Sequence, residues 1–408
     1  MALRTGNYGI ALPYSEGREI RMVDEQGLLI QPDAAPLLTL LASVQGRIKP
    51  VDQVKIEHYE DDYMSEWMTN SETVSATTGS TILTPTDGTP LVAGQLIAAI
   101  PASTTGHAFE LIRVVTVANG VATAVTRGYA STTPLQITPG MRLMICGSAY
   151  SEYAGVPAGR STVPVNYITY PQVFRMACQP ISKIAATVRS YAAEGKTERE
   201  KEHVRKMVEM KKAINKAFLF GKAAVTVDGS DGGNIYTTSG LKSRISTNVL
   251  DAGGTIDKRT FNSFLRQVFV YGSPTKVLLS CPILSEALSA WAEDQMIVEQ
   301  GASTYGLAIK TWVTPFGTLK IVNDQSLSDD GRYGTGGFGH LSFVVDMPEL
   351  HPFYLKGGSE DHNIQLWLDR VKDGTTVYKD EVYCAYGLKV KHEKKHGFIY
   401  NITNYAAA

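Results

Sequence analysis

The chain has 408 residues, of which 43% are hydrophobic and 19% charged, and its formal net charge is −1. That length accommodates two or three globular units and the composition is not that of a disordered chain. Near-neutrality excludes a whole-surface preference for nucleic acid or membrane, so such a partner has to meet a local face. No run reaches the ~20 apolar residues of a membrane span, and the opening MALRTGNYGIALPYSEG lacks the apolar core of a signal peptide, which points to folding in the cytoplasm.

Residues 1–53 read as an arm. Gly6, Gly9, Gly17, Gly27 and several prolines interrupt it and leave one short helical candidate, Pro36–Val44, whose leucines need a surface elsewhere. Residues 54–75 alternate at Val54, Ile56 and His58 and then run into the acidic, aromatic Tyr59-Glu60-Asp61-Asp62-Tyr63. No second ligand cluster at metal spacing accompanies that run, so a solvated strand end or a subunit contact fits it better than a metal site. Residues 76–150 are rich in Thr, Ser, Val, Ala and Gly, and Asn119-Gly120 between two β-branched runs is a strong hairpin signal. A small antiparallel β-barrel or sandwich, inserted as a unit, is expected there. Residues 151–193 return through a Gly/Pro-rich linker and the extended run Asn166–Arg175, so 54–75 and 151–180 should pair as a long two-stranded excursion.

The excursion leads into Glu194–Lys222, the segment around which the chain is organised. Thr197 and Glu200 form a capping box, and Val204, Met207, Val208, Ile214, Ala217 and Phe218 recur at helical spacing. Glutamates crowd the first turns, lysines the last ones, and Gly221 offers a left-handed stop. The expected helix, Glu198–Phe220, is roughly 35 Å long. Its apolar stripe is narrow and its other faces are charged, so it should lie across a surface as a beam.

Past the helix, Asp228–Asn234 resembles a calcium loop but lacks the ligand spacing and the twelfth-position Glu, which leaves a flexible turn. An amphipathic helix over Asp257–Tyr271 stopped by Gly272, a buried strand Lys276–Cys281, a helix opening at Pro282, a hairpin across Pro315-Phe316-Gly317 and a strand Leu341–Asp346 make 223–348 an α+β domain. The glycine-rich 334–339 lacks the GK[ST] of a phosphate loop. Residues 349–408 are strand-like and should return beside the long helix to cover its stripe. Cys146, Cys178, Cys281 and Cys384 stand far apart and read as small core residues.

His392-Glu393-Lys394-Lys395-His396 matches the HExxH of zinc peptidases, whose chemistry needs both imidazoles on one helical face. The flanks have strand character, and in a strand the two rings would sit roughly 13 Å apart. No third ligand follows in the remaining residues, so neither a metal nor another cofactor is expected.

This order of parts resembles the major capsid proteins of tailed bacteriophages, with the Hong Kong 97 fold. The local phrases Val125-Thr126-Arg127-Gly128-Tyr129, Asn166-Tyr167, Gln172-Val173-Phe174-Arg175, Phe218-Leu219-Phe220-Gly221-Lys222 and Thr314-Pro315-Phe316-Gly317-Thr318-Leu319 look like a branch with a β-domain inserted in the extended loop. The resemblance implies an α+β chain: N-terminal arm 1–53, extended loop 54–75 and 151–193 around the insertion 76–150, spine helix 194–222 of a peripheral domain, axial domain 223–348, and returning peripheral strands 349–408. It implies no enzyme but a self-assembling head shell, icosahedral or prolate, built in the host cytoplasm from hexamers and pentamers around double-stranded DNA. Portal, scaffolding and cement proteins are the implied partners, and a membrane is not one. Lys201, Arg205, Lys206, Lys211, Lys212 and Lys216 would then face packaged DNA or, preferably, bridge to a neighbour's Glu60, Asp61 and Asp62. An encapsulin-like compartment is the alternative within the fold, and a zinc hydrolase through 392–396 the alternative outside it.

Overall fold

The computed structural model describes residues 35–43, 47–76, 83–86, 91–100, 109–159, 161–187, 197–291, 296–297, 303–304, 307–308, 310–324, 327, 340–369 and 376–406. Most of the expected arm and the glycine-rich 334–339 lie outside them. The chain divides into two compact units, one of residues 59–167 and one formed by the segments on either side of it.

In chain order come helix α1 (Pro36–Ser43) and strands β1 (Lys49–Val51), β2 (Ile56–Glu60), β3 (Trp67–Thr69), β4 (Gln95–Ala99), β5 (Glu110–Ala118), β6 (Val121–Thr126), β7 (Arg142–Ser148), β8 (Val165–Thr169), β9 (Gln172–Ala177) and β10 (Ile181–Ser182). The long helix α2 (Glu198–Phe220) follows, then β11 (Ala224–Val227), β12 (Asn234–Thr237), α3 (Leu241–Arg244), β13 (Val249–Ile256), α4 (Lys258–Val268), β14 (Thr275–Ser280) and α5 (Pro282–Trp291). After short strands β15 (Met296–Ile297), β16 (Ser303–Thr304) and β17 (Leu307–Ala308) come β18 (Lys310–Thr314), β19 (Gly317–Asn323), β20 (His340–Val345), β21 (Leu350–Gly357), β22 (Glu360–Asp361), β23 (Gln365–Trp367), β24 (Val377–Tyr378), β25 (Glu381–Val390) and β26 (Gly397–Tyr405).

The larger unit holds two main sheets. One runs β1-β21-β25-β23, with β9 also on β25 and β22 on β21; the other runs β13-β26-β20-β14-β19-β18-β15. Helix α2 lies on β9 and β25 of the first sheet. Alternation along these strands turns Phe174, Val382, Cys384, Tyr386 and Leu388 into one core with Met210, Ile214, Phe218 and Leu219 of the helix. The buried stripe is thus concentrated in the C-terminal half of α2, whereas Val204 is 52% exposed. Leu37 and Leu41 of α1 are fully buried in the same core, and the Leu38 N–H donates to the buried Asn215 side chain of α2 at 3.1 Å.

Three expectations change. The Thr197–Glu200 capping box forms, but no basic residue stands in the last turn and Gly221 is not left-handed, with φ −59° and ψ 157°. Glycine is needed there for room, because a Cβ would lie 2.5 Å from the Ala217 carbonyl and 2.6 Å from that of Thr238. The chain changes sheets near residue 348, between β20 and β21, but the last strand, β26, goes back to pair with β13 and β20 in the seven-stranded sheet. Finally, β2 and β8 pair over only their few residues, short of a long excursion.

Residues 59–167 form a five-stranded sheet of order β3-β7-β4-β5-β6 in which every neighbouring pair is antiparallel. Asn119-Gly120 makes the β5–β6 turn as its sequence predicts. The described residues show this one sheet where a barrel or sandwich was expected, and β3 extends it ahead of residue 76. Ile97, Ile112, Val114, Leu143 and Met68 share its core. Glu110 lies on the same face as Ile112 and Val114, which places a carboxylate among apolar side chains. Arg127 answers it: Nε and an Nη donate to the two carboxylate oxygens, each at 2.6 Å, and both side chains are fully buried. Arg127 also donates to the Ser75 and Leu135 carbonyls, and the N–H groups of Gly128 and Leu135 donate to Glu110. Burial alone would raise the Glu110 pKa, but these bonds hold it below its ordinary value. Gly128 turns left-handed at φ 61°, where a Cβ would meet the Thr132 carbonyl at 2.6 Å.

Removing one partner strands a buried charge. Arg127→Ala is expected to destabilise this unit by about 3–5 kcal/mol, whereas Arg127→Met with Glu110→Leu costs far less. Limited proteolysis of residues 59–167 across a urea series checks both.

Candidate functional site

Helix α2 is fixed at its N-terminal end by one carboxylate. Asp380, just before β25, accepts from Arg199 Nε at 2.6 Å and Nη2 at 2.7 Å, and its Oδ2 lies 2.7 Å from His203 Nε2. The Asp369 N–H donates to it at 2.8 Å. The Arg199 guanidinium also lies 3.8 Å from the centre of the Tyr378 ring. Burial would raise the Asp380 pKa, yet Arg199, the Asp369 amide and His203 together hold it well below the usual carboxylate range. Sequence reasoning missed this anchor, because Asp380 is almost 180 residues from its partners and has no motif around it.

The HExxH stretch is neither a helix face nor a strand. It is a one-turn 3₁₀ connection, Glu393–Lys395, that carries the chain from β25 to β26, with His392 left-handed at φ 49°. Glu393 accepts from the N–H groups of Ser246 and Thr247 and from the Thr247 hydroxyl. His396 is fully buried. Its Nδ1 accepts from the Asp346 N–H at 3.2 Å, which assigns the proton to Nε2, 3.2 Å from the Lys391 carbonyl. The residues that would bind and activate a metal water are occupied in holding a turn. Beside it, Lys276 is fully buried and donates to the Tyr271 and Lys395 carbonyls; burial pulls its pKa down to about 8. Among the described residues no group of three His, Cys, Asp or Glu side chains could hold a metal ion.

The charges singled out in the sequence fall into two places. On α2, Arg205 bridges Glu202 at 3.5 Å and Lys206 bridges Glu209 at 2.7 Å, so these two cations are paired within their own helix. Lys211 and Lys216 are exposed, and Lys201 and Lys212 half-buried. In the acidic run Glu60 is half-buried while Asp61 and Asp62 are exposed, and Asp61 accepts from the Thr162 hydroxyl at 2.5 Å. The α2 cations belong to the larger unit, and Glu60, Asp61 and Asp62 to the smaller one. The calcium-like loop is the β11–β12 hairpin turn, in which Asp228 and Asp231 accept from nearby N–H groups of the turn. Three cysteines are buried as expected, but Cys146 is exposed on β7.

In the larger unit a long helix is clamped to a sheet, and the buried ionisable groups described above are engaged in hydrogen bonds that hold turns and helix ends. The family model of the SU10 major capsid protein matches residues 9–403, and the chain belongs to that family. It is therefore a major capsid protein, a subunit of the head shell, and its place is the virion. No curated sequence matches the chain. Among solved structures it is similar to the capsid of an empty GTA particle, with 7% identity, a TM-score of 0.49 and coverage of 97% of this chain and 100% of that one. It is similar to a chain of Mycobacterium phage Ogopogo at 10% identity and a TM-score of 0.44, over 97% and 100% of the two chains. The SrpI encapsulin complex of Synechococcus elongatus is similar at 9% identity and a TM-score of 0.42, over 60% of this chain and 79% of that one.

His396 carries a consequence for pH. Burial pushes its pKa from 6.5 down to about 4, so the unfolded chain takes up a proton that the folded chain refuses. Its contribution is whole above about pH 6.5 and is lost as pH falls through about 4, a loss of about 3 kcal/mol. Urea unfolding of the larger unit between pH 7 and 4 should show that decline, and His396→Gln, which keeps an acceptor for the Asp346 N–H, should lessen it, the remainder coming from His351, which burial also brings down to about 4.

Proposed function

We propose that the chain is the principal repeating subunit of the head shell, icosahedral or prolate, of a tailed phage with double-stranded DNA. It assembles in the host cytoplasm into hexamers and pentamers and encloses the genome without catalysing a reaction. The observation that carries this reading is the family match over residues 9–403. In it, α2 is the spine of the peripheral domain, 223–348 supplies most of the axial domain, and residues 54–75 and 151–193 form the extended loop. Residues 76–150 are a β-rich module inserted in that loop, on the outer surface, where it clasps neighbours or stands in for a cement protein. Portal and scaffolding proteins complete the assembly. Closed shells need repeated heterologous contacts, and an arm and a loop that reach over neighbours supply them. The spine cations that meet neighbours or DNA phosphates in this reading are Lys201, Arg205, Lys206, Lys211, Lys212 and Lys216, of which Arg205, Lys211 and Lys216 are exposed.

Electron microscopy of the purified chain tests the reading: closed hollow particles or hexameric rings are expected. Discrete monomers, with scaffold co-expressed as well as without, would sink it. Lys211→Glu with Lys212→Glu separates the two uses of the spine: shells that assemble normally but lose DNA assign these lysines to the genome, and failed assembly assigns them to neighbours.

A further inference from the structure

The six-stranded sheet under α2 ends on one side at β9, which pairs with β25 alone among the described strands. Such an edge leaves alternate N–H and C=O groups along its outer side without a strand to bond. Beside the edge lies an open groove of about 540 Å³. Phe174 of β9 forms one wall, and Ala213, Ala217 and Phe220, which recur along one flank of α2, form the other. No described β25 residue lines it, so the groove opens on the side of β9 away from the rest of the sheet. Among the described residues that line it, the charged ones are Lys216 and Lys222, both exposed, and no acid stands with them. An unbonded strand edge, an apolar trough and a basic rim thus meet in one place.

We infer that the β9 edge and this groove bind an extended segment of another protein, which adds a strand to β9, turns apolar side chains into the groove and carries carboxylates toward Lys216 and Lys222. Each feature selects one part of that occupant. An open edge bonds main chain in the extended form, and a strand added there gains affinity from its backbone alone. Side chains of the added strand alternate, so every second one enters the trough between Phe174 and α2, whose apolar walls favour apolar residues. The two lysines attract negative charge and turn away a basic strand. A helix is the poorer occupant, because it satisfies its own amides and leaves the edge unbonded. Every named strand of the chain already lies in one of its own sheets, so the added strand comes from a different protein. The site belongs to a single subunit and goes beyond the shell reading without resting on it.

The test uses the full chain and a fluorescein-labelled peptide of alternating valine and threonine that ends in two glutamates. Anisotropy should show saturable binding, and amide hydrogen exchange should slow in Gln172–Ala177 but not in Thr275–Ser280 of the other sheet. The same peptide with a proline at its centre, which cannot complete the ladder, should bind about tenfold more weakly. Lys216→Glu with Lys222→Glu should weaken binding by about tenfold or more, and Ala213→Trp, which fills the groove, should do the same with the lysines intact. Circular dichroism melting of each variant, with Lys216→Gln, Lys222→Gln and Ala213→Leu as milder forms, separates lost binding from lost folding. No binding at up to about 1 mM peptide overturns the inference, as does binding that ignores the proline, the filled groove or the lysine changes. Exchange in β9 that slows as the concentration of the chain alone rises gives the edge to a second copy and overturns it too. Peptide binding by a chain that never forms particles leaves this site standing and sinks the shell reading instead.

Discussion

Helix α2 has an apolar face only in its C-terminal half, where Met210, Ile214, Phe218 and Leu219 are buried. Its N-terminal half therefore depends on the ion pairs that Asp380 makes with Arg199 and His203. A paired guanidinium and carboxylate fix direction as well as distance, so the clamp sets the angle at which the helix crosses β9 and β25. The core then needs only to be filled. Asn215, buried in the same helix, carries the constraint on to α1 by accepting from its Leu38 N–H. The order of dependence runs from one carboxylate to the helix, and from the helix to the segment that precedes the sheets.

What could be read in the sequence was local. The Thr197–Glu200 box, the Asn119-Gly120 turn and the helix that opens after Asp257 are each set by residues within four positions, and all three form. The limits of α2 followed from the same kind of signal. The anchors were not legible, because Asp380 and Arg199 meet only after the whole intervening domain has folded. Arg127 and Glu110 left a faint trace, two opposite charges in a stretch otherwise poor in them, one opening an apolar strand and one closing another. Gly221 shows how a correct residue can carry a wrong reason: its place at the helix end suggested a left-handed stop, and the actual demand is the close approach of the Thr238 carbonyl. The HExxH stretch was set aside by its strand-like flanks, while its interior is a tight turn whose acid and second imidazole are already engaged.

The molecule uses charge in two ways. Glu110 with Arg127 is removed from solvent, and Asp380, itself buried, is held by the partly buried Arg199, so both pairs fix geometry and respond less to salt than exposed charges do. Asp61, Asp62 and Lys211 remain in water, where ionic strength screens them over about 8 Å under physiological conditions. A shell protein benefits from this separation. Subunit shape then stays constant while exposed charges respond to the medium.

The position of β26 has a consequence in time. This strand lies between β13, with which it runs parallel from about 150 residues away, and β20. Until residue 405 has left the ribosome, the seven-stranded sheet is split into two incomplete parts and its core cannot close. Such distant pairing makes folding slow, and a half-made subunit offers no finished surface to a neighbour. The sheet order thus makes the finished surface of the larger unit a property of the whole chain, out to the strand that ends at Tyr405.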